Sequence, residues 1–263
     1  MSAFFREAGA GPGVVCLHSN ASSSAQWRAL MEMLAPRFHV LAADSYGAGK
    51  SPQWPDRKTG LRDEVALLEP VFERAGERYS LIGHSYGGAI ALMAAVMQPK
   101  RVRALALYEP TLFAVVEQEA PAPNDVDGIR QTVAASVAAL QAGDAMGAGR
   151  VFIDFWMGSG AFDGMPERNR AAIADSVRNV QRWKDALFDE PTPASALREL
   201  RRPTLLLVGT RSPLSSRAVA ARLGRLLPQV EVVELEGLGH MGPVTHPEVV
   251  NAALARFLER HAR

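Results

Sequence analysis

Ser80-Leu81-Ile82-Gly83-His84-Ser85-Tyr86-Gly87-Gly88-Ala89-Ile90-Ala91-Leu92 reads as a buried strand, a very tight turn and a helix. At its centre stands Gly83-x-Ser85-x-Gly87. Small residues two before and two after the serine let strand and helix approach without a Cβ clash, while the turn forces the serine into a strained conformation. Such a turn lifts Ser85 Oγ above a sheet and aims the Tyr86 backbone N–H, at a helix start, at the same point. Five residues of such common types are a weak signal, so the flanking chain must supply the context. A purely structural turn serine is the competing reading, but strain of this kind is seldom kept where nothing uses it.

On the N-terminal side, residues 4–8 suit an edge strand, and Val14-Val15-Cys16-Leu17 suits a strand buried on both faces. A helix over 26–35 carries Trp27, Leu30, Met31 and Leu34 on one stripe, a strand covers 39–43, and a helix covers 61–75 with a bend at Pro70. On the C-terminal side, the helix from Tyr86 stops near Gln98 before Pro99, and 103–108 is another apolar strand, closed by Glu109-Pro110. Residues 112–202 then read as helices only, bracketed by prolines. Strands resume at 204–208 and 230–235, with helices at 217–227 and 247–260. The alternation predicts an α/β fold: a doubly wound, mostly parallel sheet, with an inserted all-helical cap. The expected division is a core of 1–111 and 203–263 and a cap of 112–202.

Composition narrows the function classes. The 263 residues are 48% apolar and 22% charged with a net charge of +1, as in an ordinary globular protein. No block of like charge suggests nucleic acid or an anionic membrane as a partner. Cys16 is the only cysteine, so neither an internal disulfide nor a thiol metal cage can form. The N-terminus meets charge at Arg6 and Glu7 before an apolar run develops, unlike a signal peptide, and no stretch approaches the roughly 20 apolar residues of a membrane span. A cytoplasmic location is expected. Gly49-Lys50-Ser51 imitates the end of a phosphate-binding loop, but Asp44 stands where the first glycine belongs and Pro52 stops the following helix. No metal and no cofactor is implied. Expected partners are a small-molecule substrate and, as an open option, further copies of the chain.

Parallel strands deliver their following loops to one edge of the sheet, here residues 18–24, 44–51, the Ser85 turn and 237–242. A serine hydroxyl needs a base within hydrogen-bond reach, and His240 is the histidine on a late loop at that edge. It takes the Ser85 proton during attack and returns it to the leaving group. The oxyanion that forms needs two fixed donors, which the backbone N–H groups of Asn20 and Tyr86 would supply. A solvated loop histidine is the bland alternative for His240. His18, His39, His84, His246 and His261 suit packing or the surface, with His18 also a pocket candidate. Phe113, Phe155, Trp156, Trp183 and Met241 are further candidates for the pocket wall, with most of the aromatic residues of 112–202 serving as insert core.

Four pieces in order and spacing resemble the α/β-hydrolase-fold superfamily over essentially the whole chain. They are Leu17-His18-Ser19-Asn20 with Trp27, Asp44-x-x-Gly47-x-Gly49-x-Ser51, Gly83-His84-Ser85-Tyr86-Gly87-Gly88, and Gly239-His240-Met241 before Pro247-Glu248. The resemblance implies a hydrolase with Ser85 as nucleophile, His240 as base and the insert as a cap over the substrate. Two departures stand out. Ser19 replaces the family's usual glycine, and the loop Gly209-Thr210-Arg211-Ser212-Pro213 carries serine where the family's acid normally lies. Some members carry the acid at the end of the preceding strand, where Glu109 stands. The third partner is therefore Glu109, Ser212 acting weakly or through water, or another carboxylate such as Asp44. Glu109 as a helix cap or a partner of Arg211, and Asp44 as an ordering residue for its glycine turn, are the structural alternatives. Three functions remain open: a serine esterase for a small or medium carboxylic ester, a carbon–carbon bond hydrolase or cofactor-free perhydrolase, and a non-catalytic ligand-binding homologue.

Overall fold

The computed structural model describes residues 2–261. The chain opens with β1 (Phe5–Ala8) and β2 (Gly13–Leu17), then a 3-10 turn (Ser24–Trp27) that runs into α1 (Arg28–Leu34), and β3 (His39–Ala43). Next come α2 (Leu61–Ala75), β4 (Tyr79–His84), α3 (Tyr86–Met97) and β5 (Val102–Tyr108). A run of helices follows: α4 (Ala114–Glu117), α5 (Asp127–Gln141), α6 (Ala145–Met157), α7 (Glu167–Val177), α8 (Val180–Phe188) and α9 (Ala194–Arg198). The chain then returns through β6 (Thr204–Gly209), α10 (Leu214–Leu226), β7 (Val230–Leu235), α11 (Gly242–Thr245) and α12 (Pro247–His261).

The strands form one seven-stranded sheet in the order β1-β3-β2-β4-β5-β6-β7. Only β1, paired with β3, is antiparallel. The central strands are apolar runs because both faces are covered, and successive residues divide between two cores. Val15, Leu41, Leu81, Leu105 and Leu206 pack with residues of α2, α3 and α10. Val14, Val40, Ile82, Ala104 and Leu205 pack with residues of α1 and α12. At roughly 1.5–3 kcal/mol for each large side chain taken out of water, these two layers hold the strands in register. Parallel pairing sets the C-terminal ends of β2, β3, β4, β5 and β6 along one edge.

The expected strands at 39–43 and 230–235 and the helix at 61–75 lie where periodicity puts them. β4 extends beyond its apolar run to His84, which is fully buried and hydrogen-bonded at both ring nitrogens. The helix expected from residue 217 starts at Leu214, directly after Pro213, whose φ of −55° suits the position before a helix. α11 is an additional short helix beside His240.

Candidate active site

The turn after β4 carries Ser85 at φ 54° and ψ −117°. Its neighbours must be glycine: a Cβ on Gly83 would lie 2.5 Å from the Gly87 carbonyl oxygen, and one on Gly87 would lie 2.3 Å from that of Leu17. Of the described residues, Ala21, Ser85 and Glu109 are the non-glycines with positive φ, and they lie after β2, β4 and β5 at the same edge. Backbone strain is thus concentrated where the loops converge.

His240 reaches this edge from the loop between β7 and α11. Its Nε2 lies 2.9 Å from Ser85 Oγ, and its Nδ1 lies 2.6 Å from Glu109 Oε2. Glu109 follows β5, and its other oxygen accepts the Gly209 N–H at 2.7 Å and the Ser212 hydroxyl at 2.5 Å. Ser216, in α10, places its hydroxyl 3.1 Å from His240 Nδ1. A carboxylate is the strong acceptor in this group, so Nδ1 carries the proton and Nε2 is left to accept from Ser85. Glu109 is wholly buried, and these donors stand in for lost hydration. Asp44 is occupied elsewhere, accepting the N–H groups of Ser24 at 2.6 Å and Lys50 at 2.9 Å, which orders the loop after β3. Arg211 is not among the partners of Glu109.

A second network links the His240 loop to the first loop. The His240 carbonyl can only accept, so His84 Nε2–H donates to it at 2.8 Å and His84 Nδ1 accepts from the Gln26 amide at 3.1 Å. Gln26 Oε1 then faces Ser19 and accepts both its N–H at 3.2 Å and its hydroxyl at 3.1 Å. His18 holds the same residue from the other side, donating Nδ1–H to the Ser19 carbonyl at 2.7 Å and accepting the Ser45 N–H at 3.2 Å through Nε2. Ser19 is therefore clamped on both sides, which accommodates the departure from glycine. Neither the Asn20 nor the Tyr86 backbone N–H has an acceptor among the described residues. Burial, and next the proximity of the His240 ring, holds the His84 pKa well below its ordinary value, consistent with the neutral tautomer of His84.

A cavity of about 290 Å³ opens above Ser85 and His240 and is walled mainly by the helical insert. Phe113, Trp156, Trp183 and Met241 line it, together with Phe152 and Leu187. Trp156 stacks on the His240 imidazole, ring centroids 4.0 Å apart and planes 26° from parallel. Two expected wall residues stand elsewhere. His18 lies behind Ser19 with both ring nitrogens engaged, and Phe155 sits edge-on against Trp156, its neighbour on α6, outside the wall.

Behind Tyr86 lies a further buried acid. Glu64 of α2 accepts the Tyr46 N–H and the Tyr86 hydroxyl, each at 3.1 Å. Burial pushes its carboxyl up to about 7 from an ordinary 4.5, and with Glu64 beside it the buried Tyr86 phenol is held well above its usual range.

The model of the alpha/beta hydrolase fold family matches residues 12–247. The chain belongs to that family. It is an α/β-hydrolase enzyme, and its likeness to characterised members extends over nearly its whole length. It is 29% identical to a 2-(acetamidomethylene)succinate hydrolase of Mesorhizobium japonicum, over 97% of this chain and 90% of that one. It is 26% identical to a pimeloyl-[acyl-carrier protein] methyl ester esterase of Aeromonas hydrophila, over 98% and 100%. An α/β-hydrolase structure from Sphaerobacter thermophilus superimposes with a TM-score of 0.72 at 25% identity, over 97% of this chain and 96% of that one.

Sequence reading overlooked several residues of this α/β-hydrolase site: Gln26, Glu64, Thr111, Lys184 and Ser216. Gln26 and His84 are 58 positions apart, and neither pattern nor charge announces their contact. Glu64 had one legible signal, an acid amid the apolar positions of α2.

Proposed function

We propose that this enzyme hydrolyses small or medium carboxylic esters through an acyl-enzyme. The observation that carries this reading is the unbroken hydrogen-bond chain from Ser85 Oγ through the His240 ring to Glu109, at the floor of an apolar cavity. Ser85 Oγ attacks the ester carbonyl as His240 Nε2 takes its proton, and the carbonyl oxygen becomes an oxyanion held by the Asn20 and Tyr86 N–H groups. The imidazolium so formed is stabilised by Glu109 on one side, while Trp156 covers its face. Collapse expels the alcohol, protonated from Nε2, and leaves an acyl group on Ser85. Water then attacks with His240 as base, and the acid product leaves with Ser85 restored.

In this reading residues 112–202 act as a cap and 1–111 with 203–263 as the core. Residues 1, 262 and 263 of that division lie outside the described residues. With Glu109 bonded to the imidazole, the missing acid after β6 ceases to favour a non-catalytic binding protein. The test is labelling of intact protein by a fluorophosphonate with identification of the modified peptide. Modification at Ser85, abolished in Ser85→Ala, is expected; labelling elsewhere, or none, removes the acyl-enzyme.

A further inference from the structure

The cavity wall is mainly apolar, and two of its polar side chains, Thr111 and Lys184, make no hydrogen bond among the described residues. Thr111 is 1% exposed, and its hydroxyl has no hydrogen-bond partner. Its own N–H donates to the Ser85 carbonyl at 3.2 Å, which puts this unused hydroxyl beside the reacting centre. Lys184 is the second. On α8 it lies four residues after Val180 and three before Leu187, on the stripe that faces the cavity with Trp183. It lines the cavity with a side chain 33% exposed, against 72% for Lys58 and 64% for Arg178.

A Lys184 ammonium has three donors, yet it makes no hydrogen bond among the described residues. Its one ion partner is its neighbour Asp185, at 3.7 Å and outside the cavity wall. Among the described residues the wall contains no Asp or Glu, and Lys184 is its sole Lys or Arg. A leucine would serve the apolar wall as well, whereas the lysine sets an apolar stem on it and a partly exposed ammonium whose hydrogen-bond donors are open to a ligand.

We infer that the cavity selects acyl groups bearing a carboxylate, with Lys184 binding that carboxylate and the Thr111 hydroxyl donating to a polar atom near the scissile carbonyl. Such substrates are half-esters of dicarboxylic acids, or amides of the same shape. The inference rests on the ester-hydrolase reading and names its substrate class.

The experiment compares pairs of 4-nitrophenyl esters of equal length, one ending in a free carboxylate and the other capped as its methyl amide. Wild type is expected to favour the carboxylate about tenfold or more in kcat/KM, mostly through KM, with the preference shrinking as salt is raised. Lys184→Met should bring that ratio close to one, whereas Lys184→Arg should keep it. Thr111→Val should slow both members of a pair alike. A wild-type ratio near one, or the same ratio in Lys184→Met, overturns the inference. If Lys184→Met does not fold, Lys184→Gln takes its place with the same expectation. Should no ester be turned over, the ester reading fails separately, and calorimetry of dicarboxylates with Ser85→Ala decides the subsite. Binding weakened about tenfold by adding Lys184→Met sustains it, and absent or unchanged binding overturns it.

Discussion

The edge of the sheet and the helical insert meet at one cavity, yet they treat polar groups in opposite ways. At the sheet edge Glu109, His240, His84, His18 and Gln26 are buried or partly buried, and each has its ring, amide or carboxylate engaged at distances of 2.5–3.2 Å. Across the cavity the insert contributes Phe152, Trp156, Trp183 and Leu187, and a lysine that makes no hydrogen bond among the described residues. A group that must move a proton has to be held in one tautomer and one orientation, which demands partners. A wall that must choose a substrate needs its polar atoms free for that substrate. On the proposed reading, the difference assigns chemistry to the sheet loops and selection to the insert.

Breaking the sheet side should have the largest effect. Ser85→Ala is expected to lower kcat/KM by about 10⁵-fold or more, read with an activated ester after its acyl-enzyme burst is shown to vanish. Wild-type turnover by that variant would dissolve the division altogether. Glu109→Gln should cost about 10³- to 10⁴-fold in kcat by misdirecting the imidazole. Ser212→Asp added to it should recover part of the loss, because Ser212 already bonds to the carboxylate that orients the ring. No recovery would mean that β6 cannot present an acid at the required angle.

A subtler break separates holding from reacting. Gln26→Leu leaves the Ser19 N–H and the His84 ring without their partner, so kcat per titrated site should fall about tenfold to a hundredfold with KM unchanged. A change in KM alone would place Gln26 in substrate binding instead.

The smallest effect sharpens the comparison through Glu64, a satisfied buried acid whose ionised form is disfavoured. Below the ordinary carboxyl value of 4.5, folded and unfolded chains both hold its proton. As pH rises towards about 7 the unfolded chain releases that proton while the folded chain retains it, so stability falls through this window and stays lower above it. Denaturant titrations at pH 5 and pH 8 should show Glu64→Gln gaining on wild type by on the order of 2 kcal/mol over that interval. An unchanged difference would mean that Glu64 titrates alike in both states.

The two sides were also unequally legible in the sequence. β3 and β7 declare themselves because each is a short run between turn residues, and α2 because Leu61, Val65, Leu68 and Phe72 share one stripe. Ser85 stands out through its glycine-flanked turn and His240 through its late loop, since parallel strands bring both to one edge. Pairings within the edge were hidden. Nothing local tells His18 that it will brace Ser19 rather than face the cavity, because both roles suit a histidine after a buried strand. The insert was read as helices, but which faces turn inward depends on how α6, α7 and α8 cross, and Phe155 and Trp156 are adjacent residues with different fates.

Glu109 and Ser212 follow neighbouring strands and touch, and Ser212 reaches the imidazole only by way of the carboxylate. Whatever shifts the Ser212 loop must therefore tilt the ring through that one carboxylate, whose two oxygens tie the end of β6 to His240.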